Sequence, residues 1–299
     1  MTRLDYSLLP ERITTDLQNQ VNKVVSASSV FFRLFARRKD PDSAAHKIEI
    51  KRYDAQRKMQ DLYGVRIALY FKDDIPICKK LIENHFHVVE ITEDIEGLSN
   101  FSPVRLNYVC KLPDDLKNDI DGSFWSQHPI DDTFEIQIRT VFSEGWHEIE
   151  HDLRYKCKGD WDAHQEESRT LNGLLATLET CDWSIISLFD QLSYQNYLDS
   201  QWEAMIRNKL RIRIKQDPIN EELKAVLNGD KRIGKDLFKM NREDFIMALA
   251  SKPLVTVPKS YDNLIYIANC LNTQNEAILH ITPRIIKDNT AALLERAAS

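Results

Sequence analysis

The sequence contains no apolar run approaching the roughly 18–20 residues that span a bilayer, and the stretch carrying Asp5, Glu11 and Asp16 has no signal-type apolar core. A membrane segment is therefore not expected, and the cytoplasm is the default location. Cysteine is sparse. The five thiols, at 78, 110, 157, 181 and 270, are odd in number, scattered and include no C-x-x-C pair, so reduced, ordinary residues are expected. No fixed-period repeat and no low-complexity segment is present, which sets aside solenoids and disordered tracts. An excess of positive charge is missing too: the formal net charge of −6 argues against a chain coated by nucleic acid.

What is present describes a globular protein. The 299 residues are 42% apolar and 29% charged, enough for one large domain or two ordinary ones. The average charge hides local structure: residues 31–60 hold nine Lys or Arg against four acids, and residues 204–216 hold five bases and no acid. Such clusters suit phosphate.

Apolar residues recur at helical spacing over 13–36 (Leu17, Val21, Val24, Val25, Phe31, Phe32, Phe35), which predicts one or two helices with the phenylalanines in the core. Asp42 and Ser43 are N-cap candidates for a basic helix over 44–60. Strand signals follow at 64–71, 86–92, 106–112 and 133–140, with an amphipathic helix at 75–85. From Val141 the period turns helical and stays so to about residue 194. Interleaved strands and helices predict an α/β (α+β) fold, a mixed sheet flanked by helices, over residues 1–195. Short helical phrases joined by Pro and Gly turns predict a helical accessory domain over 200–299.

Two acids stand beside predicted strands with an arginine close by. In DLYGVRI, Asp61 precedes the strand and Arg66 lies within it; in FEIQIRT, Glu135, Gln137 and Arg139 alternate with Phe134, Ile136 and Ile138. Period two puts carboxylate, amide and guanidinium on one face of the strand and the apolar residues on the other. Carboxylates on neighbouring strands can hold Mg²⁺, a hard ion that bridges phosphates, and arginines bind phosphate oxygens in bidentate fashion. Taken alone, the strand is equally an amphipathic one with a solvated outer face.

Four phrases stand in order along the chain: Arg37, Lys39, Ser43 and Lys47; Asp61, Gly64 and Arg66; Glu135, Gln137, Arg139 and Thr140; and Trp146, Glu150, His151, Tyr155 and Lys156. Together they resemble the RelA/SpoT synthetases and their small single-domain relatives, the alarmone synthetases. The resemblance implies a nucleotidyltransferase-like sheet and a Mg²⁺-dependent pyrophosphokinase that moves the β,γ-diphosphate of ATP onto a 3′-hydroxyl, as in (p)ppGpp synthesis. It implies that Arg37, Lys39, Ser43, Lys47 and Arg66 hold ATP and that Asp61 and Glu135 carry the metal. Glu135 would assist deprotonation of the attacking hydroxyl, with Gln137 and Arg139 in the catalytic row.

The family's G-Y-R-S-x-H phrase, whose tyrosine stacks on guanine, is replaced here by Pro103, Val104, Arg105, Leu106 and Asn107. Arg105, Asn107, Tyr108 and His151 are thus the acceptor-side candidates, for a second nucleotide or for an RNA 3′ end such as that of tRNA. The family's hydrolase half has no counterpart, so synthesis without self-reversal is expected, which suits a toxin or phage-defence role. A nucleotide-sensing module that has lost transfer is the alternative.

A competing phrase is HEIEH at 147–151, which fits the zinc-peptidase pattern H-E-x-x-H, with His147 and His151 as ligands, Glu148 as base and Cys157, His164 or Glu167 as a third ligand. The extended zinc motif fails, with Arg154 and Cys157 where glycine and histidine belong. The basic run Arg207, Lys209, Arg211, Arg213 and Lys215 is either a solvated face or an RNA contact. The resemblance leaves open self-association, and a regulatory protein or RNA partner met through residues 200–299.

Overall fold

The structure, a computed structural model, describes residues 9–94 and 106–298. Five strands form one mixed sheet: β1 (Phe32–Arg38), β2 (Tyr63–Leu69), β3 (Val88–Glu93), β4 (Leu106–Lys111) and β5 (Thr133–Thr140), in the order β1-β2-β5-β4-β3. β2 and β5 run parallel, and the other three pairings are antiparallel. The helices of this part are α1 (Arg12–Ser26), α2 (Pro41–Lys51), α3 (Ile75–His85), α4 (Asp114–Lys117), α5 (Gly122–Gln127), α6 (Val141–Glu150), α7 (Lys158–Trp161) and α8 (Gln165–Leu198).

Alternation sorts the sheet into two faces. Val65, Ile67, Ile136, Ile138, Tyr108 and Cys110 are buried, as are Ile77, Cys78, Leu81 and Ile82 of α3. Each such aliphatic side chain contributes about 1.5–3 kcal/mol on leaving water. Tyr108 joins the two layers, its hydroxyl donating to Glu83 of α3 at 2.7 Å.

The predicted helix over 13–36 requires correction. α1 ends at Ser26, Ser29 takes a left-handed φ of 61°, and Phe32–Arg38 is the edge strand β1. Phe32 is buried, but Phe35 is 55% exposed. An aromatic on the open face broke the apolar alternation by which a strand is read. The basic helix is also shorter than predicted. Its cap is Asp40, which accepts the Ser43 N–H at 2.9 Å, and it stops where Arg52 turns left-handed.

The chain divides into two compact units, residues 1–24 with 32–182, and residues 25–31 with 183–299. Trp202–Leu210, Glu221–Gly229, Lys231–Lys239, Arg242–Ala250, Tyr261–Ala268, Glu276–Ile281 and Arg284–Ala298 are the helices of the second unit beyond residue 200, confirming a helical C-terminal region. Within this unit Val30 forms an antiparallel bridge with Ile212. The Arg213 N–H donates to the Ser29 carbonyl at 2.8 Å, and its guanidinium donates to the Val30 carbonyl at 2.5 Å and covers the Phe31 ring. No helix among the described residues is long and apolar enough to cross a membrane.

Candidate functional site

Register builds the open face of the sheet. Phe35 lies opposite Arg66, Arg66 opposite Gln137 and Gln137 opposite Asn107; one pleat away, Arg37 lies opposite Gly64 and Gly64 opposite Glu135. Arg139 faces Ala68 in the next row. Laterally aligned residues project from the same face, so one pleated surface carries an aromatic ring, three guanidinium groups, two amides and a carboxylate.

Asp61 enters from the coil before β2. The Lys39 N–H donates to the Leu62 carbonyl at 2.8 Å, which continues the β1–β2 ladder and brings the lysine to the aspartate. Asp61 Oδ2 takes Lys47 Nζ at 2.6 Å and Lys39 Nζ at 3.3 Å. Burial pushes the carboxyl pKa up, but the two ammonium groups outweigh it and hold Asp61 below the usual carboxylate range. Its other oxygen, Oδ1, is buried and has no hydrogen-bond partner.

Glu135 is held from both sides. Asn107 Nδ2 donates to Oε1 at 2.9 Å and Gln137 Nε2 to Oε2 at 2.7 Å. The Gln137 carbonyl accepts Arg66 Nε at 3.1 Å, so the network continues to the arginine. Arg66 Nη1 also meets Glu144 at 2.5 Å and pairs with Glu148; Arg139 Nη1 meets the second oxygen of Glu144 at 3.0 Å. For Arg66 burial disfavours the charge, yet the two glutamates prevail and raise its pKa. For Arg139 burial prevails and lowers it.

Among the described residues, cavities open on this face. One, of about 80 Å³, is lined by residues that include Phe35, Arg37, Lys39, Asp61, Arg66 and Glu135. The other, of about 230 Å³, includes Arg139, His147, Glu148, His151 and Lys156, and shares Arg37, Arg66 and Gln137 with the first. A Cβ on Gly64 would meet nothing within 4 Å, so the glycine leaves room in the floor of the smaller cavity.

Asp61, Glu135, Gln137, Arg37, Lys39 and Arg66 thus share one cavity. Lys47 reaches it through Asp61, while Ser43 is exposed in the first turn of α2, outside both cavity walls. His151 lines the larger cavity, with Nδ1 2.9 Å from Asp152 and the ring stacked on Tyr155. Asn107 touches Glu135, whereas Tyr108, its neighbour in the strand, is buried on the opposite face and cannot contact an acceptor. The period-two rule that groups Glu135 with Gln137 separates Asn107 from Tyr108. Arg105 lies outside the described residues.

The peptidase alternative finds no metal centre. α6 passes into a π-helical turn at His151–Tyr155, His164 pairs with Glu167, and among the described residues no group of three or more His, Cys, Asp or Glu is arranged around a metal position. Mg²⁺ asks for less. It typically takes one or two carboxylates and fills its sphere with water and substrate phosphates. Two carboxylates on one cavity, one with an unpartnered buried oxygen, fit that requirement.

Three participants escaped sequence reasoning. Sequence patterning places Phe35 in the core and Glu148 only in the zinc phrase, and gives Glu144 no role. The one sequence signal for the glutamates is their i, i+4 spacing on α6, which puts both on one helix face.

Comparison with curated proteins gave no match. Among solved structures, small alarmone synthetase 1 from Bacillus subtilis is 22% identical, over 59% of this chain and 90% of that one, with a TM-score of 0.48. A GTP pyrophosphokinase family protein from Streptococcus pneumoniae is 18% identical, over 65% and 92%, with a TM-score of 0.48. Small alarmone synthetase 2 from Bacillus subtilis is 19% identical, over 59% and 93%, with a TM-score of 0.47. The family model for the region found in RelA / SpoT proteins matches residues 36–160, which contain every strand after β1 and all four of the site's phrases. Over residues 36–160, this chain is thus similar to the region found in RelA / SpoT proteins.

Proposed function

We propose that the site is a pyrophosphokinase that transfers the β,γ-diphosphate of ATP to the 3′-hydroxyl of a second, free nucleotide. The observation that carries this is the shared cavity: Asp61 and Glu135 line it together with Arg37, Lys39 and Arg66, and Asp61 keeps one buried oxygen without a partner. Phosphoryl-type transfer asks a protein mainly for positioning and charge neutralisation, and this group of side chains supplies both.

Lys39 and Lys47 bind the triphosphate, exchanging part of their contact with Asp61 for phosphate oxygens, and Arg37 and Arg66 cover the nucleotide with guanidinium planes. Asp61 and Glu135 would hold Mg²⁺, which when bound would supply charge neutralisation on the phosphates. The acceptor's 3′-oxygen attacks the β-phosphorus. The new O–Pβ bond forms as the bond from Pβ to the α,β-bridging oxygen breaks, and AMP leaves with that oxygen. Glu135 takes the hydroxyl proton; Asn107 and Gln137 fix the carboxylate for this step by occupying one position on each oxygen. Arg139, His151 and Lys156 line the larger cavity, which we assign to the acceptor's phosphates.

A free nucleotide is preferred to RNA because the basic run of the second unit is engaged internally. Arg207 donates to Gln216 and Tyr261, Lys209 lies over Phe238, Arg211 binds Asp190, Arg213 binds the Val30 carbonyl and Lys215 pairs with Asp217. The test is transfer from γ-labelled ATP with Mg²⁺ to a panel of GDP, GTP, ADP, ATP and bulk tRNA. Label on a free nucleotide, abolished in Asp61→Ala and Glu135→Ala, is expected. Label on tRNA alone would replace the acceptor assignment, and ATP binding without any labelled product would turn the proposal into a nucleotide sensor.

A further inference from the structure

We infer that Phe35 is the stacking platform for the adenine of the ATP donor, a specificity-determining role that rests on the donor cavity proposed above. Phe35 is 55% exposed in the middle of β1, although an apolar ring of this size in a strand is ordinarily turned to the core. It projects from the polar face of the sheet, directly across from Arg66 in the ladder, and lines the same cavity as Arg37, Lys39, Asp61 and Glu135. The core does not need it: Phe32 is the buried aromatic of this strand.

Position along the strand defines the ligand. Phe35, Arg37 and Lys39 stand at i, i+2 and i+4, and the Lys39 N–H to Leu62 carbonyl bond keeps the last of them in register. At the usual strand rise the aromatic and the ammonium ends are about 13 Å apart. An apolar ring, a planar cation and a compact cation in that order match a base, a sugar with its first phosphate, and the terminal phosphates. Phe35 offers a π face, while Arg37 beside it and Arg66 across from it offer guanidinium planes that also stack on aromatic rings. Lys39 and the Asp61-bound Lys47 mark the phosphate end. Among the described residues, no other aromatic lines either cavity apart from the imidazoles of His147 and His151, so among them Phe35 is the aromatic wall of the smaller one.

The test compares Mg²⁺-ATP with Mg²⁺-tripolyphosphate, which carries the phosphates and no base. By calorimetry, Phe35→Ala is expected to weaken ATP roughly 5- to 100-fold, the range of one base–aromatic stack, and to leave tripolyphosphate within about twofold of wild type. Phe35→Trp is expected to retain ATP affinity and to give an indole emission change with ATP that tripolyphosphate does not produce. ATP binding to Phe35→Ala at the wild-type level overturns the stacking role and leaves the donor cavity standing. Equal losses for ATP and tripolyphosphate also overturn it, since the damage would then lie at the phosphate end. Failure of the wild-type protein to bind ATP overturns both assignments together.

Discussion

Asp61→Asn should separate nucleotide binding from transfer, in opposite directions. The aspartate holds Lys47 at 2.6 Å and Lys39 at 3.3 Å. At an effective dielectric near 20 those pairs are worth about 6 and about 5 kcal/mol before solvation, and after solvation a hydrogen bond to a charged group retains about 1.5–3 kcal/mol. Without metal, this attraction competes with the triphosphate for both lysines, and the carboxylate repels it besides. The neutral amide removes both effects, so metal-free ATP, titrated in EDTA by calorimetry, should bind about tenfold more tightly, which corresponds to 1.4 kcal/mol. Transfer with Mg²⁺ should fall by about 1,000-fold or more, because a bound metal supplies several kcal/mol of transition-state stabilisation and each 1.36 kcal/mol is tenfold. The pH dependence has a defined sign. The folded-state pKa lies below the ordinary 3.8, so the stability given by Asp61 is fully present above 3.8 and disappears as pH falls through the depressed value. Urea midpoints of wild type and variant should therefore differ by a constant amount at pH 5–7 and converge below about pH 3.8. Metal-free ATP that binds the variant no better than wild type, or transfer that survives the substitution, would refute the argument.

Three further outcomes follow from the same geometry. Gly64→Val should fold normally, with a melting temperature within about 2 °C of wild type, since the added Cβ meets nothing within 4 Å; filling the cavity floor should still weaken ATP by about tenfold or more in the same calorimetric assay. Glu148→Gln removes one of the two carboxylates on Arg66, and because that glutamate is half exposed the expected gain in ATP affinity is small, about two- to fivefold. Asp182 is buried, accepts from Thr140 at 2.8 Å and has its pKa raised, burial being the larger cause and the Thr140 bond opposing it. Its ionisation opposes folding, so stability should fall as pH rises from 3.8 through the raised value. Asp182→Asn should add about 1 kcal/mol at neutral pH, a rise of about 2–4 °C, and nothing below the ordinary 3.8.

The sheet was legible where polarity alternated without exception. β5 lies over Thr133–Thr140, as read from its sequence, and β2 within one or two residues, because each buried face was uniformly apolar and each open face polar or small. β1 was hidden because Phe35 is apolar on the open face, so composition suggested a helix where position dictated a strand. The pairing of Asn107 with Tyr108 as acceptor contacts ignored the alternation used for Glu135 and Gln137; applied consistently, it places only Asn107 on the site. Glu144 and Glu148 could not have been assigned from spacing alone. Their partner Arg66 is 78 and 82 residues away in sequence, and only the parallel pairing of β2 with β5 brings it under α6. The break at Asp182 was invisible for another reason: α8 runs through it with unbroken helical periodicity.

The grouping of Val25–Phe31 with the far end of the chain bears on how this protein can be dissected. A truncation after residue 182 would delete Ile212 and Arg213, the partners of Ser29, Val30 and Phe31, and so untether the seven-residue lead into the strand that presents Phe35 and Arg37. Loss of activity in such a fragment would report a slack N-terminal lead rather than a missing regulatory domain. A fragment that retains 183–299, or that is supplied with it in trans, is the informative comparison.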